Sequence, residues 1–179
     1  MKIVLIGIQG AGKSTQGTML SEKLGVPYLS SGHIFRAIAR EKNQQGRFIK
    51  EIMNSGKLIP DDVTLQVVLD YLHRDEYETG YILDGFPRTV AQAEVFNGDV
   101  EKVILLEVSD REALWRIADR NSDREDETLA AIKHRIKLFH EHTTPVIEYY
   151  DSLGKLARIN GEQDVDAVFQ DTLKALGKE

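Results

Sequence analysis

The sequence predicts an α/β fold, a doubly wound parallel β-sheet flanked by helices on both faces. Three observations carry this expectation. Short apolar runs alternate with longer amphipathic segments from end to end of the 179 residues, the pattern of strands joined by crossover helices. The first run, Lys2-Ile3-Val4-Leu5-Ile6, is apolar on both of its faces, as a central strand covered on two sides must be. No internal repeat, low-complexity tract or Pro-, Gly- or Ser-rich linker interrupts the alternation, so one principal domain is expected, with room for small inserted lobes.

The elements follow in order. The strand at residues 2–6 stops at Gly7. Residues 13–24 have helical spacing and stop at Gly25, a natural left-handed cap. Residues 26–29 read as a short second strand. Residues 31–41 form a helix with Ile34, Phe35 and Ile38 on one face. A second helix over 47–54 is ended by Ser55-Gly56. Residues 61–74 start at Asp61, read as an N-cap after Pro60, and carry Val63, Val67, Val68 and Leu72 on one stripe. A strand at 81–83 runs into Asp84-Gly85, and a helix covers 89–96. Residues 103–108 are a buried strand. Helices are expected at 110–120, 128–140 and 145–153, then a last strand at 156–159. Asp164 is read as the cap of a closing amphipathic helix with Val165, Val168, Leu173 and Leu176 on its apolar face.

Bulk composition removes several classes. A formal net charge of −6 argues against a general nucleic-acid coat, although converging arginines could still hold a small anion. There is no cysteine, hence no disulfide, thiol nucleophile or cysteine-bound metal, which fits a reducing cytoplasm. The N-terminal apolar run is too short for a membrane span and lacks the form of a leader, and no later run is long enough to span. The histidines at 33, 73, 134, 140 and 142 lack zinc-like spacing and read as structural or exposed, so no zinc is expected. A soluble, cytoplasmic protein without a nucleic-acid or membrane partner is the expectation.

The strongest local signal is Gly7-Ile8-Gln9-Gly10-Ala11-Gly12-Lys13-Ser14, which matches G-x-x-x-x-G-K-[ST] between a strand and a helix, the context of a P-loop NTPase. Glycines let the backbone curl so that its N–H groups face phosphate oxygens, and the helix N-terminus adds a positive dipole end. Lys13 supplies a mobile charge, and Ser14 or Thr15 a hydroxyl for Mg²⁺ or a phosphate. The loop alone says only that nucleotide phosphates bind.

A second anion site is predicted at Asp84-Gly85-Phe86-Pro87-Arg88, at the C-terminal end of a strand, where open α/β sheets bind ligands. Asp84 is placed to hold the hydration shell of Mg²⁺. Gly85 allows close approach, Phe86-Pro87 bends the chain, and Arg88 presents a planar fork suited to phosphate. An ordinary turn with a surface arginine would read the same way; the arginines further on favour the anion site. Arg116, Arg120 and Arg124 are spaced by four and would share one face of a continuous helix, with Arg135 on the next. A solvated basic face paired with Asp119, Asp123, Glu125 and Asp126 is the other reading of that spacing. Two phosphate cradles, a lysine, Mg²⁺ and converging arginines are what phosphoryl transfer needs, since the protein must align donor and acceptor and neutralise charge.

These residues resemble the adenylate kinase family of nucleoside monophosphate kinases along essentially the whole chain. The marks are the loop through Gln16, SSGHIFR at 30–36, GKLIPD at 56–61, YILDGFPRT at 81–89, the arginine series from Arg116 to Arg135, and TTPVIEYY at 143–150. The resemblance implies that Gly10, Ala11, Gly12, Lys13, Ser14 and Thr15 hold the ATP phosphates, with Arg120 on the ATP side, Arg116 near its base and the backbone near Gln163 touching the adenine. It implies an AMP site formed by Ser31, Arg36, Lys57, Leu58, Ile59, Gly85, Phe86, Pro87, Arg88 and Gln92, where Gln92 reads the adenine edge. Arg124 and Arg135 would clamp the phosphates, oriented by Asp126. The catalytic set would be Lys13, Asp84, Arg88, Arg120, Arg124 and Arg135. No side chain would ligate the metal directly; Mg²⁺ would come with ATP, near Ser14 and Asp84. The chain would divide into a core (1–29, 60–120 and 124–179), a helical monophosphate-binding lobe (30–59) and a vestigial lid (121–123), and act as a monomer.

The sequence departs from the family pattern at three places. His33 stands where an acidic residue is usual near the Mg²⁺ hydration shell. Gln9 and Ser14 replace a common Pro and Gly. Only Asn121, Ser122 and Asp123 separate Arg120 from Arg124, which leaves no room for a folded lid and implies relaxed choice of the donor base. The readings to be separated are ATP:AMP transfer, a UMP/CMP or broad-range kinase, and a nucleotide-binding protein without catalysis.

Overall fold

A computed structural model describes residues 1–96, 100–119 and 128–178. Its centre is a five-stranded, all-parallel sheet in the order β2-β3-β1-β4-β5. The strands are β1 Lys2–Ile6, β2 Tyr28–Ser30, β3 Tyr81–Asp84, β4 Lys102–Glu107 and β5 Leu156–Asn160. β1, the most apolar run near the N-terminus, takes the middle position with hydrogen-bonded neighbours on both sides.

Side-chain alternation divides the core into two layers. Val4, Ile6, Leu83, Val103 and Leu105 face one way, onto α4 Asp61–Leu72, α5 Val90–Phe96 and α8 Thr144–Ser152 through Val68, Ala93, Phe96, Val146 and Tyr150. Ile3, Leu5, Ile82, Ile104 and Leu106 face the other way. They meet α1 Lys13–Leu24, α6 Asp110–Asp119, α7 Leu129–Leu138 and α9 Val165–Ala175 through Leu20, Ala113, Ile117, Ile132, Val168 and Leu173. The doubly wound fold read from the sequence is therefore the fold observed. α2 Ser31–Ala39 and α3 Gln44–Asn54 pack on each other. Gly46 permits this, because a Cβ there would lie 2.8 Å from the Ile38 carbonyl oxygen.

Element ends differ from the expectation where a side chain or a missing N–H intervenes. β2 begins at Tyr28, not 26: the Pro27 carbonyl accepts from Ile82 N–H at 2.9 Å, and regular pairing starts one residue later. α3 begins at Gln44 because Asn43 Oδ1 accepts from Gly46 N–H at 2.7 Å. α4 has Pro60, not Asp61, at its N-cap. Asp61 is in the first turn, and its carboxylate is bonded elsewhere. Asp164 holds the N-cap position of α9 but makes no side-chain capping bond. The helix expected over 128–140 changes at Phe139 into a π-helical turn, Phe139–Thr143. Pro145 follows within one turn and has no N–H to continue an α-helical ladder. A 3-10 turn at Asp75–Tyr77, unforeseen in the sequence, buries Tyr77 against the first layer.

No helix among the described residues is long and apolar enough to cross a membrane.

Candidate active site

The C-terminal ends of β1, β2 and β3 lie level. Leu5 pairs with Asp84, and Asp84 pairs with Ser30. Two loops, after β1 and β3, and the start of α2, which follows β2 directly, therefore leave the sheet side by side, and one cleft opens over them. This is the crevice beside a central strand where the direction of winding changes.

The first loop joins β1 to α1. Gly10 and Gly12 have positive φ, 91° and 88°, which favours glycine strongly. Gly10 is also hemmed in: a Cβ there would lie 2.7 Å from the Ala113 carbonyl oxygen. Gly12 is the N-cap of α1 and supplies no side chain to its N–H groups, so the helix start presents amides suited to an anion. Lys13 folds back over the loop and donates from Nζ to the carbonyls of Gly7 at 2.7 Å and Ile8 at 3.0 Å. Gly10, Gly12, Lys13 and Ser14 border the cleft. Ala11 is buried under the loop and Thr15 is exposed on α1; neither borders it.

The loop that leaves β3 carries the second cradle. Gly85, φ 81°, turns the chain so that its carbonyl accepts from both Ser31 Oγ at 2.9 Å and Arg88 Nε at 2.7 Å. The Phe86-Pro87 peptide is cis, and Phe86 anchors the turn by burying its ring edge-on against Phe96. Arg88 is held along its length. Its N–H donates to Gln92 Oε1 at 2.8 Å, and its carbonyl accepts from Thr143 Oγ1 at 3.1 Å. Burial lowers the guanidinium's pKa; Asp84 opposes that, while Arg135 and Arg36 add to it. Three cations thus share one region, with Asp84 as the acidic neighbour of Arg88.

Asp84 is itself nearly buried, and its Oδ2 accepts from Tyr28 Oη at 2.8 Å. Burial first, then the charge of Asp84, push the Tyr28 hydroxyl's pKa up, so it stays a donor. The remaining wall comes from Arg36, Lys57, Leu58 and Ile59 beside α2 and α3, from Gln92 on α5, and from Arg135 on α7. Arg135 donates to Met53 O at 2.9 Å and to Gln9 Oε1 at 3.4 Å. It therefore ties the end of α3 to the first loop. His33 borders the same cleft near the start of α2.

Besides Ala11 and Thr15, two further expected residues lie outside the cleft. Arg116 is paired along α6 with Glu112 at 2.7 Å, and Gln163 donates to Asp171 at 2.9 Å; neither lines the cleft. Glu112, which is not among the acidic residues read as alternative partners of the arginine series, holds Arg116. Arg120, Arg124 and Asp126, with the lid at 121–123, lie outside the described residues. The sequence reading missed Tyr28, Asp61, Thr64 and Thr143, polar groups in or just behind the wall. Asp61 and Thr143 stand at the ends of quoted motifs, and Tyr28 and Thr64 lie within three residues of one; beyond that position, a hydroxyl or carboxylate is their only signal. Among the described residues no cluster of His, Cys, Asp and Glu could hold a metal ion directly.

Comparisons with known proteins converge on one family. The adenylate kinase family model matches residues 5–155. An adenylate kinase of Clostridium botulinum (strain Loch Maree / Type A3) is 34% identical over 215 aligned positions that cover 100% of both chains. One from Caldicellulosiruptor saccharolyticus is 32% identical, again over 100% of both chains. One from Thermosipho africanus (strain TCF52B) is 34% identical over 98% of this chain and 99% of its own. An alignment of 215 positions onto a chain of 179 residues means that the Clostridium relative carries inserted sequence absent here. With its phosphate loop, its second cradle and a family match over most of its length, the chain belongs to the adenylate kinase family.

Proposed function

We propose that the protein transfers the γ-phosphoryl group of ATP reversibly to AMP, giving two ADP, and so balances the adenine nucleotide pool. The observation that supports this most directly is that two anion cradles share one cleft, the loop ending at Lys13 and Ser14 and the turn carrying Arg88. In the reaction an oxygen of the AMP phosphate bonds to the γ-phosphorus, the bond from that phosphorus to the β–γ bridging oxygen breaks, and ADP leaves. The protein's work is alignment and charge neutralisation. In this reading the loop amides of Gly10 to Thr15 and Lys13 hold the donor phosphates. Arg36 and Arg88 hold the acceptor phosphate, and Arg135 lies between the two. Arg120 and Arg124 complete the clamp with Asp126, and Arg116 and the backbone near Gln163 lie toward the donor base.

Mg²⁺ would accompany ATP, and the residues present fit it. Asp84 faces the cleft with one carboxylate oxygen held by Tyr28, and its other oxygen suits a water of the hydrated ion, with Ser14 across the cleft. When bound, the ion would neutralise phosphate charge. His33 offers no carboxylate there, so Asp84 would carry this duty on the acceptor side. Residues 30–59 would act as the monophosphate-binding lobe, 1–29, 60–120 and 124–179 as the core, and 121–123 as the lid, in a cytoplasmic monomer.

A coupled ADP-release assay with AMP, CMP, UMP and GMP as acceptors tests the reading. AMP should give the highest kcat/KM. Preference for UMP or CMP would move the protein to another acceptor class, and no turnover with any acceptor would sink the kinase reading.

A further inference from the structure

Gln92 is the group read above as meeting the acceptor base. Its carboxamide is buried, with the residue 1% exposed, and both ends are already bonded. Oε1 accepts from Arg88 N–H at 2.8 Å. Nε2 donates to Asp61 Oδ1 at 2.7 Å. Asp61 reaches this point from the first turn of α4, and the same oxygen accepts from Thr89 Oγ1 at 3.0 Å. The Thr89 oxygen in turn accepts from the Gln92 backbone N–H at 3.2 Å.

A carboxamide has nearly the same shape when its oxygen and NH₂ are exchanged by a half-turn. Here the exchange would set NH₂ against the Arg88 N–H and oxygen against the Asp61 carboxylate. Donor would face donor and acceptor would face acceptor in a buried place, where an unmade bond is costly. We propose that Asp61 is a specificity-determining positioning residue: with the Arg88 amide, it locks the Gln92 carboxamide in one orientation, so that the site takes a 6-aminopurine and rejects a 6-oxopurine. The locked group has one N–H and one lone pair left. Adenine offers the complement, an N6 amino donor beside the N1 acceptor. Hypoxanthine offers the reverse, an O6 acceptor beside an N1–H donor. A glutamine free to turn would serve both bases; a locked one serves only the first. The inference rests on the AMP reading of this cleft.

The test compares kcat/KM for AMP and for IMP, with ATP as donor, in the wild type, Asp61→Ala and Asp61→Asn. The wild type should prefer AMP. Asp61→Ala should lower the AMP-to-IMP ratio about ten-fold, the scale of one base-edge contact, chiefly through KM. Asp61→Asn keeps an oxygen that can accept from Nε2, so it should keep most of the preference. Thermal melting reports whether Asp61→Ala is folded. If it is not, Thr89→Val, which removes one bond to Asp61, should shift the ratio the same way by less. An unchanged ratio in the folded Asp61→Ala variant, or in Thr89→Val when that is the variant used, overturns the lock. So does an equal loss in Asp61→Asn and Asp61→Ala, which would assign the effect to charge. A wild type that phosphorylates AMP and IMP alike overturns the lock and leaves the kinase reading standing; one that phosphorylates neither overturns both.

Discussion

Arg88 meets the cleft with much of its hydrogen-bonding capacity already directed into the protein. Nε is bonded to Gly85 and the main chain to Gln92 and Thr143, so its fork is aimed before any ligand arrives. Pre-aimed donors are worth most where charge must be met. Arg88→Ala should therefore lower kcat/KM for AMP by about 100-fold or more, with a melting temperature near that of the wild type; a near-normal kcat would falsify the assignment. Glu162 shows a different use of charge. Its carboxylate accepts from the Ser109 N–H at 2.8 Å, just before α6, and the bonds from Ser109 hold its pKa below the ordinary 4.5. A depressed carboxylate stabilises the fold above its unfolded pKa, and that contribution is lost as pH falls through the folded value. Melting temperatures of wild type and Glu162→Gln should differ at neutral pH and converge below pH 4.5.

At the level of elements, α1 and β2 are fitted to each other through Gly17 and Tyr28. A Cβ on Gly17 would overlap the Tyr28 ring, and that ring carries the hydroxyl that holds Asp84. Gly17→Ala should cost about 1–3 kcal/mol by overpacking, seen in denaturant titration. It should also raise the Mg²⁺ concentration needed for half-maximal activity. Tyr28→Phe should raise it similarly, and the double variant should add little, because both act through one bond. Such couplings explain what the chain made legible. The strands were readable because continuous apolar runs such as Ile3 to Ile6 and Val103 to Leu106 are local signals. So was the phosphate loop, whose eight residues are contiguous. Tyr28 and Asp84 are 56 positions apart, and Asp61 and Gln92 31 apart. Only sheet register and helix packing unite them. Asp61 looked like a helix cap because a cap is its best local partner, and a distant carboxamide took its place. The π-helical turn escaped for the converse reason: helical periodicity runs straight through Phe139 while the missing N–H of Pro145 acts from beyond it.

For the molecule as a whole, the lid proposed at 121–123 would be three residues long, and the Clostridium relative carries additional sequence. With little chain to fold over the donor base, ATP, GTP, CTP and UTP should support similar kcat/KM with AMP as acceptor. Strict ATP preference in a steady-state comparison would count against that expectation. The arrangement of the sheet has a consequence for motion and turnover in the cell. The phosphate loop hangs from β1, the strand hydrogen-bonded on both sides in the middle of the order. Amides of such a strand exchange their hydrogens with solvent only when the entire sheet opens. The loop should thus be rooted in the slowest-exchanging part of the molecule, and partial unfolding events that a protease could exploit should begin at the periphery. Loss of nucleotide binding should coincide with global unfolding.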